Sequence, residues 1–96
     1  MANMFRTTEI SEDEKTATLR LDGKLVDAWV SDLEKLCLRY RDEKSKTVVL
    51  DFSGVTFIDN KGVRMLENIR DEKIKIINCS LFIQALLCKS KIDNKE

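Results

Sequence analysis

Ninety-six residues carrying 17 basic and 17 acidic side chains make a chain of zero formal net charge, long enough for one small hydrophobic core. That balance supplies no field to draw the chain toward nucleic acid or an anionic membrane surface. Histidine is absent, which excludes Ser–His and Cys–His nucleophile pairs and leaves acid–base work to carboxylates, lysines and the one tyrosine.

No apolar run approaches the roughly 20 residues that span a bilayer, so no direct membrane insertion is expected. Met1 to Arg6 lacks the apolar segment of a secretory signal, and the expected compartment is the cytoplasm. Cys37, Cys79 and Cys88 are odd in number and lack the C-x-x-C spacing. A tetrahedral zinc site would need all of them plus a carboxylate; they read instead as reduced, mostly buried small hydrophobes. No metal and no cofactor are expected. The chain reads as a single domain over residues 1–96 with an ordered core over about 5–90.

In chain order, residues 1–4 read as a loose tail and Phe5 to Ile10 as an edge strand. Glu12 to Lys15 makes a solvated turn. In Thr16 to Leu25, Ala17, Leu19 and Leu21 alternate with Thr18 and Arg20, the pattern of a half-buried strand antiparallel to the first. Asp27 is positioned to cap a helix running to about Asp42, with Trp29, Leu33, Leu36 and Tyr40 recurring on one face beside Val30 and Cys37. A single Trp on such a stripe reads as core. Arg39, Arg41, Lys44 and Lys46 gather at the helix end, where cations favour the dipole; without interleaved aromatics they do not read as a nucleic-acid patch.

Thr47 to Asn68 organises the rest. Val48, Val49 and Leu50 form a short β-branched run, read as a strand buried on both faces. Asp51 to Gly54 then carries the chain out of the sheet, and Val55, Phe57 and Ile58 return a connecting segment to the core. Asp59 precedes Val63, Leu66 and Ile69 as the N-cap of a second helix from about Asn60 to Arg70. Ile74, Ile76 and Ile77 form a last strand, parallel to the central one under the right-handed crossover rule. Ser80 caps a third helix from Leu81 to Cys88, with Phe82, Ile83, Leu86 and Leu87 as its buried stripe. Lys89 to Glu96 is polar and expected to fray. The expected α/β fold, in the order β-β-α-β-α-β-α, is a four-stranded mixed sheet packed by three or more helices, mainly on one side.

The stretch VVLDFSGVTFIDNKGVRML resembles the signature of STAS domains, the anti-sigma-factor-antagonist family: an apolar strand, D-[LF]-S-G-V, further apolar residues, then D-S-[ST]-G-[LV]. Asp51, Ser53, Gly54, Val55, Phe57, Asp59, Gly62 and Val63 match it, and LRLDGKLVDAW and KIKIINCS fit the flanks. The resemblance implies a STAS-like fold over roughly residues 5 to 90. It also implies a non-catalytic regulatory module, not an enzyme, that docks a protein partner at the helix start. The partner expected is an anti-sigma factor of serine-kinase-like type or another regulatory protein, not nucleic acid, and a homodimer is compatible with the same features. The partner-binding residues so implied are Ser53, Thr56, Asp59, Asn60, Lys61, Gly62 and Arg64.

One departure stands out. The family's switch members carry a phosphorylatable Ser or Thr after the second Asp, whereas here that position is Asn60, which has no hydroxyl. Asp59 is accounted for equally well as a simple N-cap, Asp51 as a partner for backbone donors, and Ser53 and Gly54 as turn residues. Lys61 opposes the helix dipole; it is either a solvated surface lysine or a standing contact with a partner's carboxylate or phosphate. The alternatives are an accessory STAS subunit of a membrane transport system and a small nucleotide- or anion-binding regulator. The latter finds no Walker-type glycine loop here.

Overall fold

The computed structural model describes residues 5–87. Strand β1 (Phe5–Glu12) pairs antiparallel with β2 (Thr16–Leu25) through a turn in which the Asp13 carboxylate accepts the Lys15 and Thr16 N–H groups at 2.9 and 2.7 Å. Helix α1 (Ala28–Leu38) runs into a π-helical turn (Arg39–Glu43), and the chain returns as β3 (Thr47–Ile58), parallel to β2. Helix α2 (Asn60–Ile69) crosses to β4 (Ile74–Ile77), parallel to β3. A third helix, α3, occupies residues 81–87. The sheet order is β1-β2-β3-β4, the expected four-stranded mixed sheet with its helices in the expected sequence.

Ala17, Leu19, Leu21, Val48, Leu50, Phe52 and Ile74 are buried on the covered face of the sheet, against Val30, Leu33, Cys37 and Tyr40 from the first helical segment and Val63, Met65, Leu66 and Ile69 from α2. Thr18 and Val49 on the opposite face are only half-buried, and Arg20 and Lys75 there are exposed. Val48 to Leu50 is therefore not buried on both faces; the strand alternates because its helices cover one side. Burial pushes the Cys37 thiol up to about 12, which fits an inert core residue. Cys79 is half-buried. The expectations for residues 1–4, Cys88 and the C-terminal tail lie outside the described residues.

The largest correction concerns β3. It does not leave the sheet at Asp51–Gly54 but stays paired with β2 to Ile58, through two irregularities. Arg20 and Asp22 pair with Asp51 and Gly54, and Gly23 and Lys24 pair with Val55 and Phe57, so β3 carries one extra residue each time. Each bulge reverses the inward–outward phase. Hence Phe52, Val55 and Ile58, three apart, all point inward, while Phe57 turns out and is 37% exposed. Gly54 sits at the first bulge because any Cβ there would overlap the Asp22 carboxylate and lie 2.9 Å from the Leu21 carbonyl oxygen.

Three further expectations change. Asp27 does not cap α1: its side chain makes no capping bond and its backbone is left-handed, with φ 51°. Phe82 is exposed rather than buried, since the short α3 places only Ile83 fully in the core. The cations at the end of the first helical segment tie elements together instead of serving its own dipole. Arg41 donates to the Ile69 carbonyl oxygen at 2.9 Å, closing the end of α2, and to Asp71 at 3.0 Å; Lys46 reaches Glu12 at 2.6 Å. Ser80 caps α3 as expected, accepting the Ile83 N–H at 3.2 Å.

Candidate functional site

Because β2, β3 and β4 are parallel, the connections β2–α1 and β3–α2 both lie at the rim formed by the C-terminal ends of these strands, where ligand and partner surfaces of α/β sheets gather. Asp59 is the junction. Its Oδ1 accepts the Gly62 N–H at 2.9 Å, capping α2, and its Oδ2 accepts the Asp27 N–H at 3.0 Å, holding the β2–α1 loop against the helix start. The Asp59 N–H itself donates to the Leu25 carbonyl oxygen at 3.2 Å. Both carboxylate oxygens are thus engaged inside the chain, and Asp59 positions its neighbours.

Gly62 is buried in the first turn of α2. A Cβ there would come within 2.6 Å of Ile58 Cγ2 and 3.1 Å of the Leu25 carbonyl oxygen, so its role is the close approach of helix to sheet. Asn60, Lys61 and Arg64 are exposed on the outer side of the same turns. Among the described residues neither Lys61 nor Arg64 forms an ion pair. Two cations outside any ion pair therefore add to the positive end of the α2 dipole.

The two site residues that precede the helix sit apart from it. Ser53 and Thr56 belong to β3 rather than to a loop; Ser53 lies within the first irregularity and Thr56 is the extra residue of the second. Ser53 is exposed; its N–H donates to Asp51 Oδ1 at 2.9 Å, and the Thr56 hydroxyl donates to the Gly23 carbonyl oxygen at 3.4 Å. Asp51 also accepts the Asn78 amide at 3.1 Å. The Ser53 N–H, then the Asn78 amide and the nearby Arg20 charge, hold the Asp51 carboxyl below its usual range. Asp51 thus ties β3 to the turn after β4. The structure brings Asp59, Asn60, Lys61, Gly62 and Arg64 together at one helix start and leaves Ser53 farther back along the strand.

Two features were not foreseen. The outward Phe57 meets the exposed Phe82 with ring centroids 6.5 Å apart, an aromatic pair near the same rim. Phe57 lies in an apolar run that reads as a connecting segment returned to the core, and nothing local to the run shows that β3 stays in the sheet and directs it outward. The second is an open groove between α1 and α2, lined by Asp27 and Glu34 on one wall and Lys61, Arg64 and Asn68 on the other. Its signal was present in the spacing, since Lys61, Arg64 and Asn68 recur on one side of α2. Among the described residues no group of His, Cys, Asp or Glu is arranged to hold a metal ion, and no helix is long and apolar enough to cross a membrane.

A parallel β-α-β-α-β unit extended by an antiparallel N-terminal strand, with a capped helix start at the rim, defines a STAS-like α/β module. The chain belongs to the STAS domain family, whose model matches residues 7–85. It is similar in fold to the anti-sigma factor antagonist SpoIIAA in its unphosphorylated form, at 20% identity and a TM-score of 0.66 over 95% of this chain and 84% of that one. It is likewise similar to the Bacillus cell fate determinant SpoIIAA in the phosphorylated form, at 20% identity and a TM-score of 0.61 over 95% and 86% of the two chains. No curated protein sequence matches it.

Proposed function

We propose that this chain is a non-catalytic docking module that engages a regulatory protein through the outer side of the α2 start, with Asn60, Lys61 and Arg64 as contact residues. Asp59 and Gly62 shape the surface from within. The observation that carries this reading is Lys61: an exposed cation in the first helical turn, opposed to the dipole and without an ion pair among the described residues. Intrachain stability alone does not favour a cation there, whereas a carboxylate or phosphate on a partner would. The Phe57–Phe82 pair offers the apolar area that a charged rim lacks, and aromatics of this kind often carry most of an interface's energy.

The partner class is an anti-sigma factor of serine-kinase-like type or a related regulator, by likeness to an anti-sigma factor antagonist solved in phosphorylated and unphosphorylated forms. Asn60 stands where switch members of the family carry the acceptor hydroxyl. Docking is therefore constitutive at this position, set by protein amount or by the partner's own state. A serine phosphate would bring close to two negative charges to a surface that here carries a fixed positive one. Intact-mass spectrometry after incubation with a serine-kinase-type anti-sigma factor and ATP tests this: no phosphate on residues 59–62 is expected. Stoichiometric phosphate on Ser53 or Thr56 would show a switch moved along β3 and would overturn constitutive docking.

A further inference from the structure

We infer that the α1–α2 groove is the self-association surface of this chain, and that its occupant is a second copy. This goes beyond partner docking, with which the groove shares Lys61 and Arg64. Helices α1 and α2 both connect parallel strands, so they run in the same direction, and the Asp27 N–H to Asp59 bond sets their starts level at the rim. The groove between them has an acidic wall, Asp27 and Glu34 on the α1 side, and a basic wall, Lys61 and Arg64 on α2. The oppositely charged neighbours Lys35 and Glu67 do not line it. No ion pair joins the two walls among the described residues.

A groove with this layout is complementary to itself. A two-fold axis running along it lays α1 of one copy on α2 of the other while keeping each residue at its own height. Asp27 then faces Lys61 of the second copy. Glu34, seven residues past Asp27, faces the stretch from Arg64 to Asn68, five to nine residues past Asp59. Glu34 and Arg64 are offset by two residues, about 3 Å of helix rise, which their side chains span. The same contacts repeat on the other side of the axis, as an isologous interface requires. Val30 and Met65, also in the lining, are already buried within the chain, so attraction between the walls supplies most of the association, which is accordingly salt-sensitive. Because Lys61 and Arg64 serve both surfaces, a second copy and a protein partner exclude one another.

Sedimentation equilibrium of the full chain over a wide concentration range, at low and high salt, tests the inference. The wild type is expected to show a monomer–dimer equilibrium that shifts toward monomer as salt rises. Glu34→Arg and Arg64→Glu each place like charges across both symmetric contacts and are expected to weaken self-association by about tenfold or more. Mixed together, the two variants restore opposite charges at both contacts, and a one-to-one heterodimer is expected to return. Arg64 is exposed and Glu34 half-buried at the groove, so an unchanged melting temperature checks each variant's fold. A wild type that stays monomeric throughout, a dimer indifferent to salt, single variants that dimerise as the wild type does, or folded variants whose mixture remains monomeric would each overturn the inference.

Discussion

Asp59 holds the backbone N–H of Asp27 at 3.0 Å across 32 residues of sequence, with the carboxylate whose other oxygen caps α2 at 2.9 Å. One side chain therefore fixes the helix start and the left-handed turn at Asp27, whose φ of 51° is uncommon for a residue with a Cβ. Replacing it by Ala removes the cap and frees the turn together, and Asp59→Ala should destabilise the domain by about 2 kcal/mol. Asn keeps the capping oxygen but presents an NH2 to the Asp27 N–H, so Asp59→Asn should fall between Ala and wild type. Urea unfolding measures both, and amide exchange at Asp27 should quicken in each variant. Wild-type stability in Asp59→Ala would mean that the junction is incidental.

The continued pairing of β3 with β2 as far as Ile58 sets the order of two phenylalanines. Phe52 is 1% exposed and Phe57 is 37% exposed. Phe52→Ala should cost about 3 to 5 kcal/mol through the cavity it leaves, and Phe57→Ala less than about 1.5 kcal/mol. Equilibrium denaturation of the two variants decides it. A larger loss at Phe57 would contradict the outward placement of its ring.

Those two residues also mark how far the sequence was legible. The alternation of Ala17, Leu19 and Leu21, the cap at Asp59 and the apolar spacing of α2 each arise from neighbours in the chain, and the hairpin, helices and strand order followed from them. Phe57 reads as core only because Asp51–Gly54 reads as an exit from the sheet; that β3 stays paired through two bulges is a property of pairing that no local pattern carries. Phe82 is exposed because the short α3 buries only Ile83 fully. Asp27 misled for a related reason: an Asp before a helix has the composition of a cap, yet its backbone was claimed by Asp59 from another loop. At the candidate site, Asn60 and Lys61 were legible because their chemistry departs from the surrounding motif. The acidic wall at Glu34 was not, because it becomes a site only when α1 lies beside α2.

Acid should reveal the tie made by Asp51. The Ser53 N–H, the Asn78 amide and the Arg20 charge hold its carboxyl below the usual value. Its folded value thus lies below its unfolded one, so the contribution to stability is complete above the unfolded value and is lost as pH falls through the folded one. Glu12, bonded to Lys46, and Asp13, bonded to the Lys15 and Thr16 N–H groups, are also held low and act in the same sense. Stability should be nearly level near neutral pH and fall below about pH 4. Asp51→Asn should be less stable at neutral pH and show a shallower acid limb. Superimposable acid limbs would show that Asp51 is not coupled to folding.

The measurement closest to the central claim is the calorimetric affinity of Lys61→Glu for the regulatory partner, set beside its melting temperature. The charge reversal should weaken docking by about 1 to 3 kcal/mol where the lysine meets a partly desolvated acid. Its melting temperature should hold or rise slightly, since an acid in the first turn suits the helix dipole. An affinity equal to wild type, in a variant that folds as well, would contradict docking at the start of α2.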